Sequence, residues 1–186
     1  MIGRVIVING SVASGKSTLA RLLATTLRVR GFSAGVIDTD LIYGMLGDNP
    51  KSDPHAWRLA RHVTSSLAAA MIQTELRCVI VDGCYWSRAD RMELSTALSI
   101  DTPTHFISLY VSYAEALRRA QGDPTRVLSK DPEFLRPHVA SYIALLSEFR
   151  STDLVVDTET ATPDELVDRI ATLVASGGLR TYRRIT

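Results

Sequence analysis

The sequence lacks a strong excess of charge of either sign. Its 186 residues include 21 Lys and Arg against 20 Asp and Glu, which gives a formal net charge of +1 at pH 7. Proteins that bind nucleic acid through the phosphate backbone need a basic excess, so this balance argues against nucleic acid as the main partner. A short basic run near the end, Arg180 to Arg184, is expected to be a solvated tail.

Cysteine is scarce, and long apolar runs are absent. The two cysteines, Cys78 and Cys84, are too few for a disulfide framework and are expected to be reduced thiols. No run of about 18 apolar residues is long enough to span a membrane, and no signal peptide precedes the first predicted strand. We therefore expect a cytoplasmic protein that has no membrane partner.

The sequence does contain a phosphate-binding motif near its start. Residues 10–17 read GSVASGKS and match the P-loop pattern G-x-x-x-x-G-K-[ST] at every position. A β-branched run precedes the motif and leucines at helical spacing follow it, so the loop lies between a predicted strand and a predicted helix. In such a loop the backbone amides surround phosphate, Lys16 reaches the β/γ-phosphates and the Ser17 hydroxyl binds Mg²⁺. The predicted nucleotide-binding residues are Gly10, Ala13, Ser14, Gly15, Lys16, Ser17 and Thr18.

Short β-branched runs alternate with helical patterns along the rest of the chain. This alternation predicts an α/β protein with a three-layer P-loop NTPase fold, in which a five-stranded parallel sheet is covered by helices on both faces. We expect a single kinase domain over residues 1–186, with a short lid at about 120–135 and a flexible basic tail at about 177–186. Pro137 is expected in the first turn of a helix that covers residues 134–150. The predicted strands lie near residues 4–9, 34–38, 78–82, 106–111 and 154–157.

Three carboxylates stand where predicted strands end. Asp38 and Asp40 follow the second strand and Asp82 ends the third, and in an open α/β sheet the ligands bind beyond the carboxyl ends of the strands. Phosphoryl transfer needs a metal ligand and a group that orients the acceptor. We predict that Asp38 and Asp82 hold the metal with Ser17, and that Asp40 orients the acceptor hydroxyl and accepts its proton. From the sequence it stays open which of the three acids is the base and which holds the metal.

Residues further along the chain offer a cation and two aromatic rings. Arg126 follows Gly122 in a predicted loop, where a mobile lid could place its guanidinium over the transferred phosphoryl group. Lys16, Asp40 and Arg126 are therefore the predicted catalytic residues. Tyr85 and Trp86 are predicted to contact the acceptor, and burial under a loop is the alternative for both rings.

The chain resembles the small P-loop kinases of the shikimate kinase, gluconate kinase and chloramphenicol phosphotransferase group. Besides the P-loop, the resemblance depends on Asp38-Thr39-Asp40, which matches the Asp-x-Asp of shikimate kinases, and on Trp57-Arg58, which matches a Phe-Arg pair. By that likeness Asp38 helps to bind Mg²⁺, Asp40 contacts the acceptor hydroxyl, and Arg58 holds a substrate carboxylate. Arg61 stands where the shikimate kinases have a glutamate.

The segment from Leu117 to Arg126 resembles the start of the lid in this group. The likeness implies that Arg119 lies against the adenine, that Arg126 lies over the phosphates and that Pro163 closes the other side of the adenine. One segment departs from the pattern, because residues 82–86 read DGCYW where shikimate kinases carry a triple glycine. Shikimate itself is therefore not the expected acceptor. Chloramphenicol-type enzymes also carry an acid after this strand, which leaves an antibiotic or another bulky acceptor open.

The sequence therefore predicts a kinase that uses ATP and Mg²⁺ to phosphorylate a hydroxyl of a small metabolite or antibiotic. The small-molecule acceptor is its expected partner, and we expect a monomer or a homodimer. Two alternatives stay open: a nucleoside or nucleotide kinase, and a nucleotide-binding regulatory protein with slow ATPase activity. Neither the acceptor nor a preference for ATP over GTP can be identified from the residues.

Overall fold

Five parallel strands form the centre of the fold. A computed structural model describes residues 3–47 and 53–182. The strands are β1 (Arg4–Gly10), β2 (Ala34–Asp38), β3 (Cys78–Asp82), β4 (Thr104–Tyr110) and β5 (Leu154–Asp157). Their order in the sheet is β2-β3-β1-β4-β5, and every pairing is parallel.

Helices cover both faces of this sheet. Within the described ranges the helices are α1 (Lys16–Val29), α2 (Thr39–Met45), α3 (Pro54–Ile72), α4 (Arg88–Ala97), α5 (Tyr113–Gly122), a 3₁₀ turn (Leu128–Lys130), α6 (Pro132–Thr152) and α7 (Pro163–Ser176). Ile6 and Ile8 of β1 pack in the cluster that includes α1 and α7, whereas Val5 and Val7 pack in the cluster that includes α3 and α4. The predicted α/β fold is confirmed.

The position of β1 determines where a ligand can bind. Strand β1 has β3 on one side and β4 on the other, because the chain adds β2 and β3 on the first side before it crosses to the second. A crevice opens at such a switch point, beyond the carboxyl ends of the strands. The loop that follows β1 is the predicted P-loop, so the strand order places the phosphate-binding motif at the mouth of this crevice.

Helix α6 differs from its prediction at Pro137. The helix begins at Pro132, where Asp131 caps it by accepting a hydrogen bond from the amide of Glu133 at 2.9 Å. Pro137 therefore lies inside the helix and not in its first turn, so the expected position was wrong. A proline is tolerated best at the first helical position, and Pro132 already occupies it.

The described part of the expected tail contacts the sheet. Leu179 is buried, and the backbone amide of Tyr182 donates a hydrogen bond to the carbonyl oxygen of Thr104 at 2.7 Å. The Tyr182 ring packs edge-on against Phe106, with ring centroids 5.1 Å apart. Residues 183–186 lie outside the described residues. Within residues 3–47 and 53–182, we find no helix with the length and apolarity that a bilayer span requires.

Candidate active site

The P-loop connects the end of β1 to the start of α1. Gly15 caps α1 with a φ of +93°, a left-handed conformation that glycine adopts without strain. Ala13 also has a positive φ, of +62°, and such outliers in non-glycine residues are frequent at ligand-binding sites. A Cβ atom at Gly10 would clash with the Ser14 hydroxyl, so the first glycine of the motif is required by close approach of the loop to itself.

The polar groups of this loop fit a polyphosphate. The Lys16 ammonium donates a hydrogen bond to the carbonyl oxygen of Ser11 at 2.9 Å. The side-chain hydroxyls of Ser11 and Ser14 are buried and have no hydrogen-bond partner among the described residues, and buried hydroxyls without partners usually indicate a missing ligand or water. The positive end of α1 faces the same loop. The arrangement therefore offers donors and positive charge to phosphate oxygens.

Two of the predicted acids lie side by side at the strand ends. Asp38 of β2 and Asp82 of β3 are partners in the parallel register. Asp82 is 4% exposed. Burial raises the pKa of its carboxyl group, while the Lys16 charge and a hydrogen bond from the Ser17 hydroxyl lower it. The structure thus brings together Asp38, Asp82 and Ser17, the three predicted metal ligands.

Asp38 also determines where Asp40 lies. One carboxylate oxygen of Asp38 accepts hydrogen bonds from the backbone amides of Asp40 at 2.9 Å and Leu41 at 3.4 Å, so Asp38 is the N-cap of α2. Asp38, and not Asp40, is therefore the residue that caps this helix. Asp40 stands exposed in the first turn of α2, with its side chain free of this capping role.

The acids fit Mg²⁺ as a partial site. No group of three His, Cys, Asp or Glu side chains is arranged to hold a metal ion alone in the part of the chain that the structure describes. Mg²⁺ is usually bound by one or two carboxylates together with substrate phosphates and water. Asp82 and the Ser17 hydroxyl supply hard oxygen ligands of this kind beside the P-loop. They fit a metal ion that arrives with the nucleotide.

The loop between β3 and α4 is tied to the P-loop. The Trp86 indole N–H donates a hydrogen bond to the carbonyl oxygen of Gly10 at 3.4 Å, and the Cys84 thiol donates to the same oxygen at 3.5 Å. The Trp86 ring is half-buried and lies near His138 and Tyr142, with ring centroids 4.6 and 5.2 Å apart. Trp86 therefore lies beside the predicted phosphate site.

Tyr85 lies in the core and not in the crevice. Its side chain is 0% exposed, packs edge-on against Phe106 and belongs to the cluster beneath α3 and α4. Burial raises the pKa of its hydroxyl strongly, although Thr39 and Ser65 are close enough to lower it. This position argues against the predicted contact between Tyr85 and the acceptor, and it matches the alternative of core packing. The reason is that strand β3 is buried on both faces, so the loop that follows it begins inside the protein.

A buried ion pair holds the backbone of Tyr85. The Arg91 guanidinium donates to the Tyr85 carbonyl oxygen at 3.1 Å and forms two parallel hydrogen bonds with Asp153, at 2.7 and 2.9 Å. The guanidinium lies between the rings of Phe106 and Phe149, 4.4 and 4.2 Å from their centroids. Sequence reasoning missed this pair, because nothing local in the sequence connects two residues that lie 62 positions apart.

Arg119 connects the P-loop to the loop that follows β5. Its guanidinium donates to the Thr158 hydroxyl at 3.0 Å and carbonyl at 2.9 Å, and it reaches the Ser14 carbonyl at 3.5 Å. Glu115 orients it through an ion pair of 2.7 Å. Pro163, the first residue of α7, follows in the same loop region. Of the two residues predicted to flank the adenine, Arg119 therefore contacts the P-loop, and Pro163 begins the helix after the loop that holds Thr158.

Arg126 and Arg58 are bonded to their own neighbours. The Arg126 guanidinium pairs with Asp123 at 3.0 Å, and the side chain is about one-third exposed. The Arg58 guanidinium lies 3.0 Å from Nδ1 of His55 on the exposed side of α3. No hydrogen bond or ion pair from either arginine to the P-loop or to Asp40 is found within the described ranges, so their predicted roles require the side chains to move.

Comparisons with known proteins agree with this geometry. The model of the chloramphenicol phosphotransferase-like protein family matches residues 3–175. A comparison with curated proteins gives no significant match.

Several solved structures have the same fold. A sugar kinase from Janibacter sp. HTCC2649 is 16% identical and superposes with a TM-score of 0.70, over 93% of this chain and 95% of that one. A shikimate kinase from Acinetobacter baumannii in complex with shikimate is 19% identical, with a TM-score of 0.65 over 94% of both chains. A gluconokinase from Sinorhizobium meliloti 1021 is 17% identical, with a TM-score of 0.61 over 95% of this chain and 98% of that one. At such identities the likeness establishes the fold.

Proposed function

The chain belongs to the chloramphenicol phosphotransferase-like protein family, and from that premise we propose that it transfers the γ-phosphoryl group of ATP to a hydroxyl of a small metabolite or antibiotic. The family match confirms the small P-loop kinase that the sequence resembled, and with it a phosphotransferase. ATP as the donor, Mg²⁺ as the metal and the identity of the acceptor belong to the proposal.

One observation carries the proposal. The P-loop residues Lys16 and Ser17 lie beside Asp38 and Asp82 at the carboxyl ends of adjacent strands, and Asp40 lies in the first turn of the helix that follows Asp38. A donor site and a free carboxylate therefore meet at one crevice. A protein that only binds a nucleotide needs the first of these but not the second.

In the donor half, Lys16 and the loop amides bind the β- and γ-phosphates. Asp82 and Ser17 hold Mg²⁺, with Asp38 beside them, and a bound Mg²⁺ supplies neutralisation of the phosphate charge. Arg119 holds the P-loop against Thr158 through the contacts described above. We propose that Arg126 exchanges its pairing with Asp123 for the transferred group when the segment around it closes.

In the acceptor half, Asp40 orients the hydroxyl and accepts its proton. The hydroxyl oxygen forms a bond to the γ-phosphorus, the bond from that phosphorus to the β–γ bridging oxygen breaks, and ADP leaves. The protein contributes little covalent chemistry to this transfer. The rate therefore depends on the positioning of the reactants and on the stabilisation of charge. Trp86 lies near enough to the P-loop to contact the acceptor.

The proposal is tested by measuring ADP release with and without hydroxyl compounds. Lys16→Ala should abolish acceptor-dependent ADP release, because it removes the cation at the phosphates. Asp40→Asn should lower the rate about 10²- to 10⁴-fold, the range for a lost general base, without changing the affinity for ATP. Asp101→Asn, an exposed aspartate in the loop before β4, serves as the matched control and should keep the wild-type rate.

Two results would contradict the proposal. ADP release that no hydroxyl compound stimulates indicates a nucleotide-binding regulatory protein with slow ATPase activity. Wild-type turnover in Asp40→Asn excludes Asp40 as the base.

A further inference from the structure

A cavity opens at the amino end of β5, and its lining includes no residue of the P-loop and none of the three acids proposed for catalysis. It has a volume of about 370 Å³ and lies between the end of α6, the C-terminal part of α7 and the segment that follows α7. Small-molecule sites are cavities of about this size, with apolar walls and a few polar groups. At about 30 Å³ for each water-sized group, the cavity has room for roughly a dozen non-hydrogen atoms.

The walls of this cavity are apolar and only partly covered by the rest of the protein. Leu154 and Leu173 pack against the core cluster that contains α1 and α7, and Val155 packs against the cluster of α6, yet all three are half-buried. Leu179 adds a fourth apolar side chain, which is buried. A ligand with an apolar body would remove this surface from water, which favours the bound state.

Arg180 is held at this cavity by its backbone and by its side chain. Its carbonyl oxygen lies 2.8 Å from Nδ1 of His105, near the start of β4. Its Nη1 atom donates hydrogen bonds to the carbonyl oxygens of Arg150 at 2.9 Å and Ser151 at 3.4 Å, near the end of α6. A cation at a helix C-terminus complements the helix dipole, but this role accounts for Nη1 alone.

Both guanidinium groups of the cavity have donors to spare. A guanidinium carries five N–H donors. Among the described residues, no hydrogen bond is found from Nε or Nη2 of Arg180, and none from the Arg150 guanidinium. The acid in the lining, Asp153, is buried, and its carboxylate pairs with Arg91 at 2.7 and 2.9 Å. The cavity therefore offers two positive charges, and its described lining has no unpaired carboxylate.

We propose that this cavity binds a small organic anion, in which a carboxylate or a phosphate is attached to an apolar body of roughly ten non-hydrogen atoms. The anionic group lies between Arg150 and Arg180, since a planar guanidinium suits two-point binding of carboxylate or phosphate oxygens. The apolar body covers Leu154 and Leu173. The cavity does not share residues with the proposed donor and acceptor groups, so this second ligand site does not depend on the proposed kinase function.

Binding is measured on the full chain saturated with Mg²⁺ and ADP, so that the P-loop is already filled. The probes are two matched pairs, naphthoate with naphthamide and naphthyl phosphate with naphthol, which distinguish a carboxylate from a phosphate. Titrations followed through the backbone amide NMR signals give both the affinity and the location. The wild type should bind the charged member of at least one pair about 10-fold or more tightly than its neutral partner. The shifted signals should centre on Leu154, Val155 and Leu179.

The variants then assign this preference to the two arginines. Arg150→Gln and Arg180→Gln should each weaken binding of the charged member about 3- to 10-fold, the range for one exposed hydrogen bond, and should leave the neutral member unchanged. Arg150→Gln keeps the backbone carbonyl that anchors Arg180, so its result does not depend on a loss of that anchor. Arg21→Gln, which removes an exposed arginine of α1, is the matched control and should bind as the wild type does.

Four results overturn the inference: equal binding of charged and neutral members, no binding of either charged member, wild-type affinity in both arginine variants, or shifts that centre on the P-loop instead of the cavity. Failure of the proposed function looks different. In that case no hydroxyl compound stimulates ADP release, but the anions still bind at the cavity and both arginine variants still weaken them.

Discussion

His138 shows how burial controls the protonation of a single residue in this protein. Its ring lies against Trp86 and, at 5.6 Å between centroids, stacks on Phe134. The Nε2 atom is buried and has no hydrogen-bond partner among the described residues. Burial, with a smaller contribution from the Lys16 charge, lowers the pKa of His138 to about 4, so the neutral imidazole is the form that the folded protein favours.

Acid should therefore destabilise the protein through His138. In the unfolded chain this histidine takes up a proton near its ordinary pKa of 6.5, whereas in the folded chain it does so near pH 4. The unfolded state thus binds more protons between these values, and the free energy of unfolding falls as the pH is lowered from about 6.5 to about 4.

His138→Gln should remove this part of the acid sensitivity. Urea unfolding at pH 7 and pH 5 measures the change in the free energy of unfolding for each protein. The variant should lose less stability than the wild type over that interval, whatever its stability at pH 7. An equal loss in both proteins would show that the proton uptake occurs elsewhere.

The residues of the site differ in how far the sequence predicts them. Lys16 and Ser17 were predicted from the P-loop motif, because the spacing of its residues determines the geometry of the loop. Asp82 follows from a rule about strand ends, and the structure places it beside Ser17 as expected. The ion pair between Arg61 and Asp90 did not follow, because the side of α3 that meets α4 depends on how the two helices pack. The periodicity of one helix cannot supply that information.

At the scale of elements, the buried pair of Arg91 and Asp153 joins α4 to the start of β5. The Ser108 hydroxyl of β4 also donates to Asp153 at 2.6 Å, and Asn9 of β1 donates to Ser108 at 3.2 Å. The amide of Tyr85 donates back to Asn9 at 3.0 Å. The β3–α4 loop is thus connected through side chains to β1, to β4 and to the residue that precedes β5.

Removing both partners of this pair should cost less than the two single removals added together. Asp153→Ala alone leaves a buried guanidinium without its counter-charge, and we expect it to lower the free energy of unfolding by about 3–5 kcal/mol. Arg91→Met alone leaves the carboxylate buried and should cost a similar amount. The double variant should be less destabilised than the sum of the two, because no charge is left unpaired.

Urea unfolding of the four proteins gives the coupling energy directly. Arg88→Met, at an exposed position at the start of α4, is the control and should change stability by less than about 0.5 kcal/mol. Strict additivity of the two buried substitutions would show that the residues do not act as a pair.

Among the elements, regular patterns were predictable and irregular connections were not. The five strands were visible as β-branched runs, because strands of a parallel sheet are buried on both faces. The start of α6 was misplaced, because Pro137 looks like a first-turn proline unless the better start at Asp131 and Pro132 is recognised. The core position of Tyr85 depends on packing between elements that lie far apart in the sequence.

At the scale of the whole molecule, the carboxyl ends and the amino ends of the parallel strands contact different parts of the chain. The P-loop, Asp38 and Asp82 lie at the carboxyl ends of the strands. The segment that carries Leu179 and Tyr182 contacts the amino end of β4 at Thr104. The sequence predicted what lies at the carboxyl ends, because the P-loop motif and the acids indicate it. It did not predict the contact at the amino end of β4. The basic composition of residues 180–184 suggests solvation and does not reveal that Leu179 is buried.

Substitution of Leu179 should therefore affect stability and not catalysis. Leu179 is 7% exposed and packs in the cluster that contains α1 and α7. Leu179→Ala should lower the free energy of unfolding by about 2–4 kcal/mol, the ordinary cost of removing a buried leucine side chain, while the ADP-release rate at 25 °C stays at the wild-type value.

Thermal and urea unfolding measure the first effect, and an ADP-release assay measures the second. Thr181→Ala, at an exposed neighbouring position, should change stability by less than about 0.5 kcal/mol. A drop in turnover of folded Leu179→Ala, with unchanged stability, would contradict the assignment of Leu179 to stability and not to catalysis.

The shared carbonyl oxygen of Gly10 limits how this enzyme can acquire new substrates. Trp86 and Cys84 both donate to that oxygen, so a mutation in the β3–α4 loop that reshapes the proposed acceptor site also disturbs the first residue of the P-loop. Selection for a new acceptor through substitutions in this loop therefore acts against nucleotide binding by the P-loop.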